Sequence, residues 1–101
     1  MPPYKAPLRD IRFVLFELLD LEKHYAQLPG AEELSREVVD AMLGEAANLI
    51  ETVIAPLNRP GDEEGCHWSP EGVRTPQGFK EAYKQYYEAG IGSLAGDAEY
   101  G

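Results

Sequence analysis

Apolar residues recur at helical spacing in three stretches of this chain. The first runs from Ile11 to Leu21 and contains Ile11, Phe13, Val14, Leu15, Phe16, Leu18, Leu19 and Leu21. Positions 11, 14, 15 and 18 fall on one face of a helix, while Phe13 and Phe16 lie off it. A helix that is apolar on more than one side needs cover on more than one side. The second stretch runs from Val38 to Ile54, with apolar residues at 38, 39, 42, 43, 46, 49, 50, 53 and 54. Its steps of one, three and four make a continuous stripe and predict a long helix. The third holds Phe79, Ala82, Tyr83, Tyr86 and Tyr87, a stripe on a helix running to about Ala89.

The residues between these stretches supply starts and stops. Pro2, Pro3 and Pro7 keep the first nine residues extended, and Asp10 serves as N-cap or first-turn acid for a helix beginning near Ile11. Leu28-Pro29-Gly30 ends that helix. Glu32 and Glu33 then open the next segment, where a helix dipole favours acids, and Ser35 is a cap for the long helix. Pro56 marks its last turn or a kink, and Asn58-Arg59-Pro60-Gly61 ends it. Residues 66–74 suit a short β-hairpin, with Cys66-His67-Trp68 facing Gly72-Val73-Arg74 across a turn through Pro70. Trp68 is placed as a lid over the helices. Thr75-Pro76 reads as cap and first residue of the third helix, and Gly90 as its C′ residue. The tail from Ile91 reads as loop. The expected fold is all-α: a single domain, residues 1–101, of about three helices packed by their stripes, with the hairpin attached.

Charge narrows the partners. Eighteen acidic residues against nine basic ones give a net charge of −9. Nucleic acid and anionic membrane surfaces are recognised by clustered Lys and Arg, so neither is an expected partner. The Ile11–Leu21 stretch is too short, and too interrupted by Arg12, Glu17 and Asp20, to span a bilayer. The opening Met1-Pro2-Pro3-Tyr4-Lys5 has no signal-peptide character, and the single Cys66 cannot form an internal disulfide, so a bacterial-type cytoplasm is the default compartment.

No residue set carries evident chemistry. Asp62, Glu63, Glu64, Cys66 and His67 lie close in sequence but lack the paired spacing of a zinc site. Cys66 and His67 are neighbours, whose side chains diverge in an extended segment, and so do not make a nucleophile–base pair. His24 sits where a helix C-terminus favours positive charge. Tyr83, Tyr86 and Tyr87 suit a half-buried core with hydroxyls at its rim. Gly90-x-Gly92 lacks the preceding strand and following helix of a dinucleotide loop. The residues alone therefore describe an acidic helical domain with no catalytic, cofactor-binding or metal-binding residue. A stand-alone helical protein-interaction module is one reading of it.

Longer segments point to a second reading. Ala55-Pro56-Leu57-Asn58-Arg59-Pro60-Gly61-Asp62-Glu63-Glu64-Gly65-Cys66 resembles the loop after the long helix in one branch of the acyl-CoA dehydrogenases. Val73-Arg74-Thr75-Pro76-Gln77-Gly78-Phe79-Lys80-Glu81-Ala82-Tyr83 resembles that branch's next helix start, and Tyr4-Lys5-Ala6-Pro7-Leu8-Arg9-Asp10-Ile11-Arg12-Phe13 its amino-terminal extension. Gly96-Asp97-Ala98-Glu99-Tyr100-Gly101 resembles the first part of a stretch that usually continues into a glycine-rich turn. The branch is the large bacterial one that includes 3-methylmercaptopropionyl-CoA dehydrogenases, and the likeness covers essentially the whole chain in order. The resemblance implies an oxidoreductase several times longer, in which a helical amino-terminal domain precedes a β domain and a carboxy-terminal helical bundle. It implies FAD held by those later parts in an oligomer, a glutamate base there, oxidation of acyl-CoA thioesters to 2-enoyl-CoA in fatty acid metabolism, and electron transfer to an electron-transfer flavoprotein. No catalytic position of the family maps onto this chain, and Glu45 and Glu81 are not assigned the base's role. Only Tyr100 and Gly101 are expected at a pocket edge of the intact enzyme. The end at Gly101, inside the resembling stretch, is expected to be an artificial boundary or a proteolytic cut. The over-apolar first helix, Phe13 and Phe16 included, is expected to self-associate when the rest of the enzyme is missing.

Overall fold

The computed structural model describes residues 3–100 and divides them into two compact units, which meet in sequence near residue 49. The chain is mostly helical, with one small antiparallel sheet among the described residues.

The unit of residues 4–48 begins with α1 (Leu8–Arg12), directly behind Pro7. The helix thus starts ahead of the expected Ile11, because Pro7 fits the entry to a helix, where no N–H is needed. Asp10 is the acid of the first turn. The winding then loosens to i→i+5 over Phe13–Leu18, with the Leu19 N–H donating to Val14 O at 2.9 Å. This change of period overturns the expected facing. Phe16 is the buried residue, at 9% exposure, while Phe13, Leu18 and Leu19 stand out at 58%, 66% and 59%. The winding breaks at Asp20, whose φ of 49° is left-handed, a conformation Asp tolerates better than most residues. Helix α2 (Leu21–Ala26) follows, so the expected first helix is two pieces rather than one. His24 lies in the last turn of α2, as its sequence position suggested.

Glu32 and Glu33 do not open a helix. They lie in a turn, where the Gly30 N–H donates to Glu32 Oε1 at 3.1 Å. The long helix α3 (Arg36–Leu49) starts at Ser35, whose Oγ accepts from the Val38 N–H at 3.3 Å, as a cap should. Ala47, outside the expected stripe, is the residue α3 buries, at 5% exposure, and Val38 at the other end stays 41% exposed. Arg36 ties the pieces of this unit together. Its guanidinium lies 4.7 Å from the Phe16 ring centroid and 3.6 Å from Glu17, and the Arg36 backbone N–H donates to Glu22 Oε2 at 3.0 Å. Arg12 also pairs with Asp40 across the unit.

In the unit of residues 49–100, the winding is i→i+5 over Ile50–Ile54 and tightens to a 3-10 turn at Ala55–Leu57, around Pro56. The expected stop at Asn58-Arg59-Pro60-Gly61 is instead the start of α4 (Asn58–Glu64). Pro60 sits in its first turn, where a missing N–H costs little. Gly61 is buried in α4, and a Cβ there would lie 2.5 Å from two ring atoms of Phe79. Gly65, at φ 71°, ends α4. Strands β1 (His67–Ser69) and β2 (Gly72–Arg74) then form the expected hairpin, with the first arm one residue later than the expected Cys66-His67-Trp68, in the register His67↔Arg74, Trp68↔Val73 and Ser69↔Gly72. Ser69 Oγ accepts from the Glu71 N–H at 3.3 Å and so helps hold the turn. Trp68 covers nothing and is 78% exposed, which corrects its expected place as a lid.

The last long helix, α5 (Phe79–Glu88), starts later than Thr75-Pro76 suggested. Pro76 is buried in the preceding turn, Gln77 N–H donates to Glu64 Oε2 at 3.1 Å, and Gly78 takes the position before the helix with φ 91°. Only glycine suits that place, since a Cβ would also meet Leu57 Cδ2 at 2.9 Å. Gly90, at φ 75°, follows the C-terminal end of α5 as expected. The tail holds one 3-10 turn, Ile91–Ser93, where a loop was expected.

Candidate functional site

The unit of residues 49–100 holds two surface features of note. The first is an apolar recess of about 260 Å³ lined by Ile54, Leu57, Asn58, Phe79 and Ala82. Two of its lining residues pack against glycines that leave no room for a side chain, Phe79 against Gly61 and Leu57 against Gly78. Ala82, 7% exposed, is the buried residue of α5.

The second is the tyrosine face of α5. Tyr83 and Tyr86 have ring centroids 6.4 Å apart and planes tilted by 38°. Tyr83 and Tyr87 are 68% and 74% exposed, so they are surface residues and not the half-buried core the sequence suggested; Tyr86 alone is partly covered. The cover comes from the 3-10 turn. A Cβ at Gly92 would lie 3.1 Å from Tyr86 Cε1 and 3.2 Å from its hydroxyl, so the bare glycine backbone packs against that ring.

The other sequence candidates do not converge. Cys66 is an exposed free thiol. His67 turns its Nε2 toward Glu64 O at 2.9 Å, a local backbone contact. Among the described residues no group of three or more His, Cys, Asp or Glu side chains is arranged to hold a metal ion. Tyr100 is 83% exposed in a terminal turn whose N–H reaches Asp97 O at 3.0 Å, and Gly101 lies outside the described residues. The Glu32 carboxyl accepts from its own N–H and that of Gly30, which hold its pKa below the ordinary glutamate value. It sits in a surface turn away from any other candidate. No helix among the described residues is long and apolar enough to cross a membrane.

The Gly90-x-Gly92 pair is not arranged as a dinucleotide loop. The glycine of the Gly90-x-Gly92 pair that would have to admit a phosphate is occupied by Tyr86, and a helix rather than a strand precedes it. Sequence reasoning missed the Arg36 junction and the Gly61–Phe79 contact. The signals for both were single residues, an arginine beside a cap and a glycine beside a proline, which also occur in ordinary loops.

The fold is a mostly helical segment with exposed aromatic surface. Comparison with known proteins places it. The chain is 35% identical to the 3-methylmercaptopropionyl-CoA dehydrogenase of Ruegeria pomeroyi, over 97% of this chain and 16% of that protein. It is 31% identical to each of two butyryl-CoA dehydrogenases of Syntrophomonas wolfei, over 93% and 95% of this chain and again 16% of theirs. No family model matches the chain. The chain thus spans about one sixth of the length of the curated relatives it matches, and it corresponds to a segment of an acyl-CoA dehydrogenase.

Proposed function

We propose that this chain is the amino-terminal helical piece of an FAD-dependent acyl-CoA dehydrogenase, and that it serves there as a structural wall without a catalytic role of its own. The observation that carries the reading is the pairing of near-complete alignment of this chain with a small share of each relative. The thin core supports it. Phe16, Ala47 and Ala82 are its buried hydrophobic residues, while Phe13, Leu18, Leu19, Trp68, Tyr83 and Tyr87 are all more than half exposed. Such a surface is what a piece shows when its neighbours are missing.

In this reading the β domain and carboxy-terminal helical domain of the same polypeptide are its partners. They hold FAD, bind acyl-CoA and pass electrons to an electron-transfer flavoprotein, in an oligomeric cytoplasmic enzyme that makes 2-enoyl-CoA. Tyr100 and Gly101 would approach the pocket edge only in that setting. The purified 101-residue chain should bind no stoichiometric FAD, remain colourless and leave acyl-CoA unoxidised. Stoichiometric flavin absorbance on the isolated chain would overturn the assignment of its sites.

The alternative is a stand-alone acidic interaction module, favoured by the exposed tyrosine face of α5. Reading the gene beyond codon 101 decides between them: several hundred further codons support the enzyme, and an immediate stop supports the module.

A further inference from the structure

The segment from Leu8 to Leu19 meets α3 through a reciprocal pair of arginines. Arg12, on α1, reaches Asp40 on α3. Arg36, on α3, reaches back, with its guanidinium 4.7 Å from the Phe16 ring centroid and 3.6 Å from Glu17. Both ion pairs are open to solvent, with side chains 43% and 44% exposed in the first and 56% and 61% in the second. Apolar cover is thin: Phe16 is buried, Ile11 and Leu15 are half-buried, and Phe13, Leu18 and Leu19 stand in solvent. The segment is bounded at both ends. Pro7 precedes it, and Asp20 follows it in the left-handed conformation, at φ 49° and ψ 59°. Beyond Asp20, the Arg36 backbone N–H holds Glu22 of α2 at 3.0 Å. Ahead of Pro7, Lys5 and Ala6 have contacts of their own.

Exposed ion pairs hold weakly, and salt screens them. A helix this short is marginal in water without support, so the segment unravels once it leaves α3. By contrast, α3 keeps its Ser35 cap and runs directly into the winding of Ile50–Ile54. Asp20 adds a bias toward release. A residue with a side chain disfavours the left-handed conformation, and Asp20 can relax to an ordinary φ when the segment ahead of it lifts. We propose that Leu8–Leu19 is a strap clipped by charge, which lifts as a unit between Pro7 and Asp20 while α2 and α3 stay folded, and that ionic strength sets how often it is open. Lifting bares Phe16 beside Phe13, Leu18 and Leu19, so the same event controls how much apolar surface this part of the chain presents.

The test is amide hydrogen exchange, read by NMR on the dilute 101-residue chain and corrected for intrinsic rates. Two sodium chloride concentrations are compared, about 0.05 M and about 1 M, between which the screening length falls to about 3 Å. The Ile11 and Leu19 amides, which donate to Pro7 O at 3.0 Å and Val14 O at 2.9 Å, report the strap, and amides in the middle of α3 and α5 are the reference. Strap amides should exchange together and faster than the reference. Salt should speed them roughly fivefold, the size expected for two exposed ion pairs, and leave the reference unchanged. R12Q and D40N should each speed strap exchange about twofold at low salt, and the double variant should add nothing further. D20A should open the strap several-fold more often than D20G, because glycine takes the left-handed conformation freely. None of these three positions is buried, so the changes leave the fold intact. Strap amides that exchange no faster than those of α3, strap exchange that ignores salt, or equal rates in D20A and D20G would overturn the proposal.

Discussion

Gly61→Ala sets two known effects against each other at one atom. Gly61 lies inside α4, where alanine is favoured over glycine by about 1 kcal/mol in a helix interior. An exposed helical glycine would therefore be stabilised by the change. The added Cβ, however, would sit 2.5 Å from both Cε1 and Cζ of Phe79. Carbon atoms prefer roughly 3.5–4.0 Å, so the ring must move by about an ångström or more. Phe79 is 38% exposed and can swing outward, but doing so gives up much of its present cover. Losing on the order of 100 Å² of apolar burial costs about 2.5 kcal/mol. The balance is a net destabilisation of roughly 1–2 kcal/mol, within the usual range for overpacking. Urea unfolding followed by far-ultraviolet circular dichroism measures it. The decisive control is the same change in a Phe79→Ala background, where the clash is gone and the helix preference should dominate. Gly61→Ala should then stabilise, relative to Phe79→Ala alone, by up to about 1 kcal/mol. A stabilised single variant, or an equal loss in both backgrounds, would refute the packing argument.

Phe16→Ala should cost about 3 kcal/mol, because the ring is buried beneath the Arg36 guanidinium, while Phe13→Ala should stay within about 0.5 kcal/mol; urea midpoints compare them. Asp40→Asn removes the partner of Arg12 in a pair whose side chains are 43% and 44% exposed, so its cost should be only about 0.5 kcal/mol and should shrink in high salt. A carboxyl titration by NMR should find Glu32 below the ordinary glutamate range. Because its folded pKa is depressed, its contribution to stability is present above the unfolded glutamate value and is lost as pH falls through the folded one, and Glu32→Gln should flatten that part of the acid limb. Sedimentation should show concentration-dependent self-association that a Phe13→Ser, Leu18→Ser double variant abolishes; a monomer at every concentration would remove that expectation.

Much of the secondary structure was legible in local chemistry. The Ser35 cap, the 66–74 hairpin to within a residue, the α5 helix and the Gly90 stop all rest on neighbours within a few residues, and the structure has each. The likeness of the whole chain to acyl-CoA dehydrogenases was legible too, because it accumulates over ordered segments and needs no coordinates. What failed were inferences in which one residue type serves two backbones. Pro60-Gly61 is a turn signal and also a tolerable first turn of a helix, and only the Phe79 ring packed on Gly61 selects the second. Thr75-Pro76 is a sound helix start, but Gly78 against Leu57 and Glu64 on the Gln77 N–H move the start to Phe79. Phe16 was placed on the wrong face because a stripe assumes the α period, and the i→i+5 winding of Phe13–Leu18 changes it. By itself the sequence determined that this is an acidic, mostly helical piece of an acyl-CoA dehydrogenase-like chain, since composition, periodicity and ordered likeness are properties of the string. Which aromatic rings are buried and where the helices begin were decided by tertiary contacts, because each depends on residues brought together only when the chain folds.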